Sequence, residues 1–288
     1  MSISIHPLNA VLGAEVEGLD LRNPLSADTA SALRNAWLKY KVLLIRDQDL
    51  TCEQQIAFSK NFGELEAPVM TLLKYKEGSG QKTEIPPEIT VVSNVKENGK
   101  PIGQLGNGEA FWHSDSNFIE DPPSGGILHA KEIPPAGGNT AFLDTAALLA
   151  ALPESLREKI KTLSCKHDPS LSSTGTLRKD FEPLTDVSKN RGPAHPLIVT
   201  HPETNEKSLF LGRRLNAYIA DLDVAESDSL LDELWEYTQG NRFVYEHTWR
   251  VGDLLIWDNR AVLHRRDSFD DSHRRVMHKT VLKGTRPH

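Results

Sequence analysis

Trp112-His113-Ser114-Asp115 sets an imidazole and a carboxylate two residues apart. On an extended strand, side chains at i and i+2 leave the same face, so His113 and Asp115 would converge on one point and share one metal ion. Two ligands hold a metal loosely. The run Trp257-Asp258-Asn259-Arg260, followed by His264, offers the best third ligand. Two imidazoles and one carboxylate on one face of an octahedron leave three positions open, the arrangement used by non-haem Fe(II) oxygenases.

The elements that must carry these residues read as mostly strands. Ile3 to Pro7 alternates weakly, Lys41 to Arg46 is an apolar run, and Leu197 to His201, Ser208 to Leu211, Arg242 to Trp249, Asp253 to Trp257 and Arg275 to Leu282 all carry strand signals. Between them lie a few helices. Ser26 opens one with Leu33, Trp37 and Tyr40 on a single face, Thr51 and Gln54 fit a capping box for a helix reaching about Phe62, and Gly63 ends it. Asp144 caps a helix to Leu152, Pro153 precedes another over 154–163, and 226–237 is amphipathic. Short strands with few long helices favour a mainly β fold, a jelly roll with flanking helices, over alternating βαβ units. We expect one domain over 1–288, with lid loops at 66–110 and 165–194, where periodicity fails and Gly and Pro collect.

A chain of 288 residues with 38% apolar and 25% charged residues is long enough for a sizeable core. Its net charge of −7 argues against nucleic acid or an anionic membrane as partner, so any anionic ligand needs a local basic pocket. Cys52 and Cys165 form no CxxC pair, which fits a reducing cytoplasm. No apolar stretch reaches spanning length and no leader is evident at Met1 to Ala10. A homo-oligomer acting on a small molecule is expected.

Taken together, WHSD, GGNT, WDNR-x3-H and HRRVMHK resemble the taurine dioxygenase and 2,4-dichlorophenoxyacetate dioxygenase (TauD/TfdA) family, and the likeness runs from Val11 to the C-terminus. The resemblance implies a double-stranded β-helix core with His113, Asp115 and His264 on Fe(II). It implies that Arg275 clamps the distal carboxylate of 2-oxoglutarate, with the hydroxyl of Thr140 donating to the same group. A guanidinium suits that role because it matches a carboxylate with two parallel hydrogen bonds and keeps its charge. If Arg275 is buried it needs an anion, or an internal acid such as Asp253. Arg274 is the other candidate clamp, but alternation sets it on the opposite face. The implied reaction consumes O2 and 2-oxoglutarate, releases succinate and CO2, and hydroxylates a C–H bond. Asp115 speaks against the iron halogenases, which lack the carboxylate ligand. A metal-binding sensor without turnover, which an incomplete triad or a missing Arg275 would favour, and a zinc hydrolase, which lacks an evident general base and gives Arg275 no role, are the alternatives.

On the substrate side the chain departs from the taurine pattern, reading Glu66-Ala67-Pro68-Val69-Met70 where a His and a Tyr would follow FGEL. Lys279 stands where the family usually has a substrate-binding Arg, and on a strand it shares a face with Arg275. By resemblance Arg214 and Lys100 also face substrate, and Trp112 and Phe118 wall the pocket. The expected substrate is therefore a small organic anion, aryloxyalkanoate-, sulfonate- or amino-acid-like. His129, His167, His195, His201, His247 and His278 carry no ligand pattern and are expected to be core or surface residues.

Overall fold

The computed structural model describes residues 3–66 and 85–288. Two sheets make the centre. The larger is built from β1 (Ser4–Pro7), β2 (Ala14–Glu17), β3 (Val42–Ile45), β4 (Thr90–Ser93), β5 (Gln104–Leu105), β7 (Gly125–Glu132), β10 (Leu254–Asp258) and β12 (Val276–Leu282). Its order is β1-β2-β3-β10-β7-β12-β4-β5. The smaller contains β6 (Ala110–His113), β8 (Thr140–Asp144), β9 (Val244–His247) and β11 (Val262–Arg266), in the order β9-β8-β11-β6. This is the expected jelly-roll core.

Alternation along each strand divides the apolar residues between two cores. Val42 and Leu44 of β3, Leu255 and Trp257 of β10, Phe142 of β8 and Val262 of β11 share a cluster that joins the two sheets. Their neighbours Leu43, Ile45, Leu254 and Ile256 face the other way, onto α1 (Ala27–Tyr40) and the end of α2 (Cys52–Ser59). Leu143 and Leu263 cover the far side of the small sheet with α3 (Thr145–Ala151), α4 (Glu154–Ile160) and α5 (Val224–Glu236). Strands buried on both faces need apolar residues at every position, so no polar alternation marks them.

The helices begin where their caps place them. Ser26 Oγ accepts from the Thr29 amide, Thr51 and Gln54 satisfy each other's backbone donors, and Asp144 accepts from Ala146 and Ala147. α2 is shorter than its capping box suggests and stops at Ser59, ahead of Gly63.

The expected lids are partly ordered structure. Residues 67–84 of the 66–110 segment, and with them most of the departure from the taurine pattern, lie outside the described residues. The remainder supplies β4, β5 and a hairpin of 96–97 with 100–101. In the 165–194 segment a backbone bond from Phe111 to the carbonyl of Ser173 (2.9 Å) ties the loop to β6. Among the described residues no helix is long and apolar enough to cross a membrane.

β7 opens with Gly125-Gly126 because a tryptophan ring occupies the space of a side chain. A Cβ on Gly126 would lie 2.4 Å from the six-membered ring of Trp257, which is buried between the sheets and cannot retreat. Gly126→Ala is expected to destabilise the fold by about 3 kcal/mol, as overpacked cores do. A urea-unfolding midpoint equal to wild type would refute this account of the two glycines.

Candidate active site

The site forms where the small sheet opens toward the larger one. β11 pairs antiparallel with β6 so that His264 lies directly opposite His113, with a shift of register before Arg266. The two imidazoles meet with ring centroids 4.2 Å apart. Asp115 is not on the strand. β6 ends at His113, and Asp115 belongs to the turn that follows, where Ser116 takes a positive φ of 49°. Convergence therefore comes from a turn rather than from strand alternation, and Asn259 fixes that turn. Its side-chain oxygen accepts from the Asp115 amide (2.7 Å), and its amide nitrogen donates to the carbonyls of Asp115 (3.1 Å) and Pro123 (2.9 Å). The WDNR run was read only for its approach to His264; this use of Asn259 was missed.

Asp115 Oδ1 lies 3.9 Å from His113 Nε2 and 3.8 Å from His264 Nε2. These three are the one group of potential metal ligands among the described residues. His113 Nδ1 donates to the Phe111 carbonyl (2.6 Å), which sets the tautomer and leaves Nε2 with a free lone pair aimed at the cluster. Burial holds the His113 imidazole down to about 4, against the attraction of Asp115, and it holds His264 well below its ordinary value. Both rings are neutral at physiological pH, as metal ligation requires. Burial alone would raise the Asp115 carboxyl, but Lys279 foremost outweighs it and keeps the group ionised. Nothing in the donor set conflicts with a divalent ion.

Lys279 does face the interior with Arg275, and its ammonium binds Asp115 Oδ2 at 2.6 Å while lying 4.9 Å from the Trp257 ring centre. Its charge is thus engaged by a ligand carboxylate rather than standing free for a substrate. Arg275 sits at the mouth of β12, 1% exposed, and donates to the Gly138 carbonyl (3.3 Å). Its Nε has no partner and, among the described residues, no acid pairs with it. Asp253 is engaged elsewhere, by Arg46 (3.0 Å) and His247 (3.0 Å). Burial first, and then the charge of Arg266, pulls Arg275 down to about 9. Arg274 points away to Glu132 at 2.6 Å, as alternation required.

Two residues of this region were not foreseen. Arg266, opposite Thr140 in the sheet, is buried without an acid, with its guanidinium on the carbonyls of Leu105, Gly106 and Gly108. Trp249 donates its indole N–H to Thr140 Oγ1 (2.9 Å). A hydroxyl that accepts there can turn its own proton toward the cavity. The sequence signal for Arg266 was its i+2 relation to His264, which puts both on one strand face.

Other expected residues lie elsewhere. Lys100 is exposed on the 96–101 hairpin and does not line the cavity. Arg214 binds Asp228 (3.1 Å) and Asp232 (2.7 Å) on α5; its neighbour Arg213 turns inward instead. Trp112, one residue from His113, points off the cavity into the helical core beneath Arg265. Phe118 does line it. Among the described residues the remaining histidines join no group of potential metal ligands.

The metal cluster, Thr140, Arg275 and Lys279 all open into one cavity of about 930 Å³, large enough for two small organic acids. A model of the family described as taurine catabolism dioxygenase TauD, TfdA family, matches residues 4–281. The chain is 34% identical over 297 residues to the alpha-ketoglutarate-dependent 2,4-dichlorophenoxyacetate dioxygenase of Cupriavidus pinatubonensis, covering 98% of each. It is 28% identical to the alpha-ketoglutarate-dependent sulfate ester dioxygenase of Pseudomonas putida, covering 100% of this chain and 91% of that one. A crystal structure of AAD-2 with Mn(II) and N-oxalylglycine superimposes with a TM-score of 0.80 at 35% identity, covering 100% of this chain and 99% of the other. The chain belongs to the TauD/TfdA family and is a 2-oxoglutarate-dependent dioxygenase.

Proposed function

We propose that the chain hydroxylates a small organic anion at an Fe(II) held by His113, Asp115 and His264. The observation that carries this reading is Arg275. It is a buried cation, without an acid among the described residues, opening into the same cavity as a cluster of two neutral imidazoles and a carboxylate. Burying an unpaired charge costs several kcal/mol, roughly, so an anion belongs beside it. A zinc hydrolase or a sensor would have no use for this arrangement.

Each side chain then has a task that its geometry supports. His113 and His264 present Nε2, and Asp115 presents Oδ1 while Lys279 keeps its second oxygen occupied. Asn259 holds the backbone of Asp115 so that the carboxylate does not swing out. Arg275 takes the distal carboxylate of 2-oxoglutarate, and Thr140, oriented by Trp249, donates to it. Bound Fe(II), with 2-oxoglutarate and O2, supplies oxidative decarboxylation to succinate and CO2 together with hydroxylation of a C–H bond. Phe142 and Trp257 pack behind His264, with ring centres at 6.1 and 5.1 Å, and exclude water from that side. The substrate class follows the relatives named above, whose substrates are a phenoxyacetate and sulfate esters, both organic anions.

Anaerobic addition of Fe(II) and 2-oxoglutarate is expected to give the visible charge-transfer absorption of a chelate, and His113→Ala to abolish it. No band with wild-type protein would sink the reading. Arg275→Ala should weaken 2-oxoglutarate by about a hundredfold or more, as loss of a buried charge-assisted contact does, while Fe(II) affinity measured without 2-oxoglutarate stays within about twofold of wild type. Equal losses would mean the clamp is misassigned. Asn259→Ala leaves all three ligands intact, yet metal affinity should fall by about tenfold to a hundredfold, the range for residues that orient ligands. Unchanged binding in a competitive chelator titration would remove Asn259 from the site.

A further inference from the structure

Lys279 is engaged by Asp115 and Arg214 faces α5, so the residues expected to hold the substrate's charge are not free to do so. We propose that Arg178 and Arg213 form the substrate's anion subsite, and that it takes the carboxylate or sulfate of a molecule with an apolar body. This deepens the functional reading above and rests on it for the identity of the second ligand.

Arg213 is fixed beside the metal cluster by the backbone. Its residue bridges His113 in antiparallel fashion, and the Ser114 amide donates to the Gly212 carbonyl at 2.9 Å. The side chain is 3% exposed and lines the cavity. Its terminal nitrogens donate to the carbonyls of Leu171 (2.8 Å) and Asp168 (2.6 Å), while Nε is buried without a partner. Arg178 lines the same cavity, donates to the Pro169 carbonyl (2.6 Å) and lies over the Phe118 ring at 4.5 Å. One short run of carbonyls, 168–171, therefore grips both guanidiniums at the cavity wall.

Carbonyl oxygens orient a guanidinium but do not neutralise it. Among the described residues no carboxylate pairs with either arginine. The acid nearest in sequence to those carbonyls, Asp168, has its oxygens on Ser170 and Asn216. Even counting Asp168, two positive charges, one of them buried and the other half-buried, stand against one negative charge. The two guanidiniums line one cavity wall with no acid paired to either among the described residues, a cost that a bound anion would relieve. Two adjacent guanidiniums match the oxygens of a carboxylate or sulfate. The mouth of the cavity is apolar: Leu105, Phe111, Leu177 and Phe181 all line it and are each at least a third exposed. The ligand that satisfies both features is an amphiphilic monoanion.

Calorimetric titration of matched probes tests this. The probes are 2,4-dichlorophenoxyacetate against its neutral amide and hexyl sulfate against hexanol, added anaerobically with and without Fe(II) and 2-oxoglutarate. Wild-type protein is expected to favour at least one acid over its neutral match by about tenfold or more, and which acid is favoured separates carboxylate from sulfate. Arg178→Gln and Arg213→Gln should each remove that preference, leaving 2-oxoglutarate affinity within about twofold. Arg213→Lys should restore part of it, and Arg178, nearer the rim, covers the case in which Arg213→Gln does not fold. A wild-type protein that shows no preference, or a preference kept in the folded variants, overturns the proposal. Arginine-dependent binding of acids without any chelate band would instead sink the oxygenase reading and leave this subsite standing.

Discussion

Everything at this site hangs on one cross-strand pair, His264 of β11 opposite His113 of β6. Directly opposed residues in an antiparallel pair have side chains a few ångströms apart, so register alone brings the two rings together. A slip of one residue would present Leu263 or Arg265 to the interior and send His264 into the helical core. The pairing is protected from that slip on both sides. Phe142 and Val262 must stay in the core between the sheets while Leu143 and Leu263 stay in the outer one. The third member of the group does not depend on strand register. Asp115 comes from a turn, and two hydrogen bonds with Asn259, just past the end of β10, fasten it to the opposite sheet, with a third from Asn259 to the Pro123 carbonyl. The ligand set thus measures the distance between the two sheets.

Charge is distributed against the average of the protein. The chain carries a net −7, yet the cavity wall holds Arg178, Arg213, Arg266 and Arg275 without an ion-pair partner among the described residues. Lys279 is the cation of this wall that has an acid among the described residues, and that acid, Asp115, belongs to the group with His113 and His264. Such an arrangement is unfavourable until anions arrive, because the interior solvates charge poorly. A divalent ion on neutral imidazoles and one carboxylate adds yet another positive charge. The wall as a whole is therefore suited to anionic ligands.

The motifs were legible because their chemistry constrains residue type: His, Asp and Arg at fixed separations have few structural uses in common. Short apolar runs were also legible as strands, and β3, β10 and β12 lie within a residue or two of where their patterns put them. The strands that carry the site were harder. β7, β8 and β11 went unread; β7 opens on two glycines that make room for Trp257. β8 also runs without a break into the apolar helix α3, so no periodicity separates the two. In Leu211-Gly212-Arg213-Arg214 it is Arg213 that lines the cavity, while Arg214 pairs with Asp228 and Asp232. Gly212 has a positive φ of 58°, a conformation that no alternation rule reads. The same one-residue ambiguity sent Trp112 to the helical core while its neighbour His113 took the cavity.

The guanidiniums of the cavity wall are also the fasteners of its loops. Arg266 grips the carbonyls of Leu105, Gly106 and Gly108, and Arg178 and Arg213 grip those of 168–171. Each cation thus faces two kinds of acceptor: the loop's carbonyls, and whatever anion fills the cavity. Filling the cavity lowers the repulsion between Arg266 and Arg275, and between Arg178 and Arg213, without removing the bonds to the loops. Anything that binds the ordered wall more tightly than the disordered one stabilises it by mass action. Phe111 and Ser173 join the second loop to β6, the strand of His113. The order of the mouth and the geometry of the metal ligands are then two readings of one electrostatic balance.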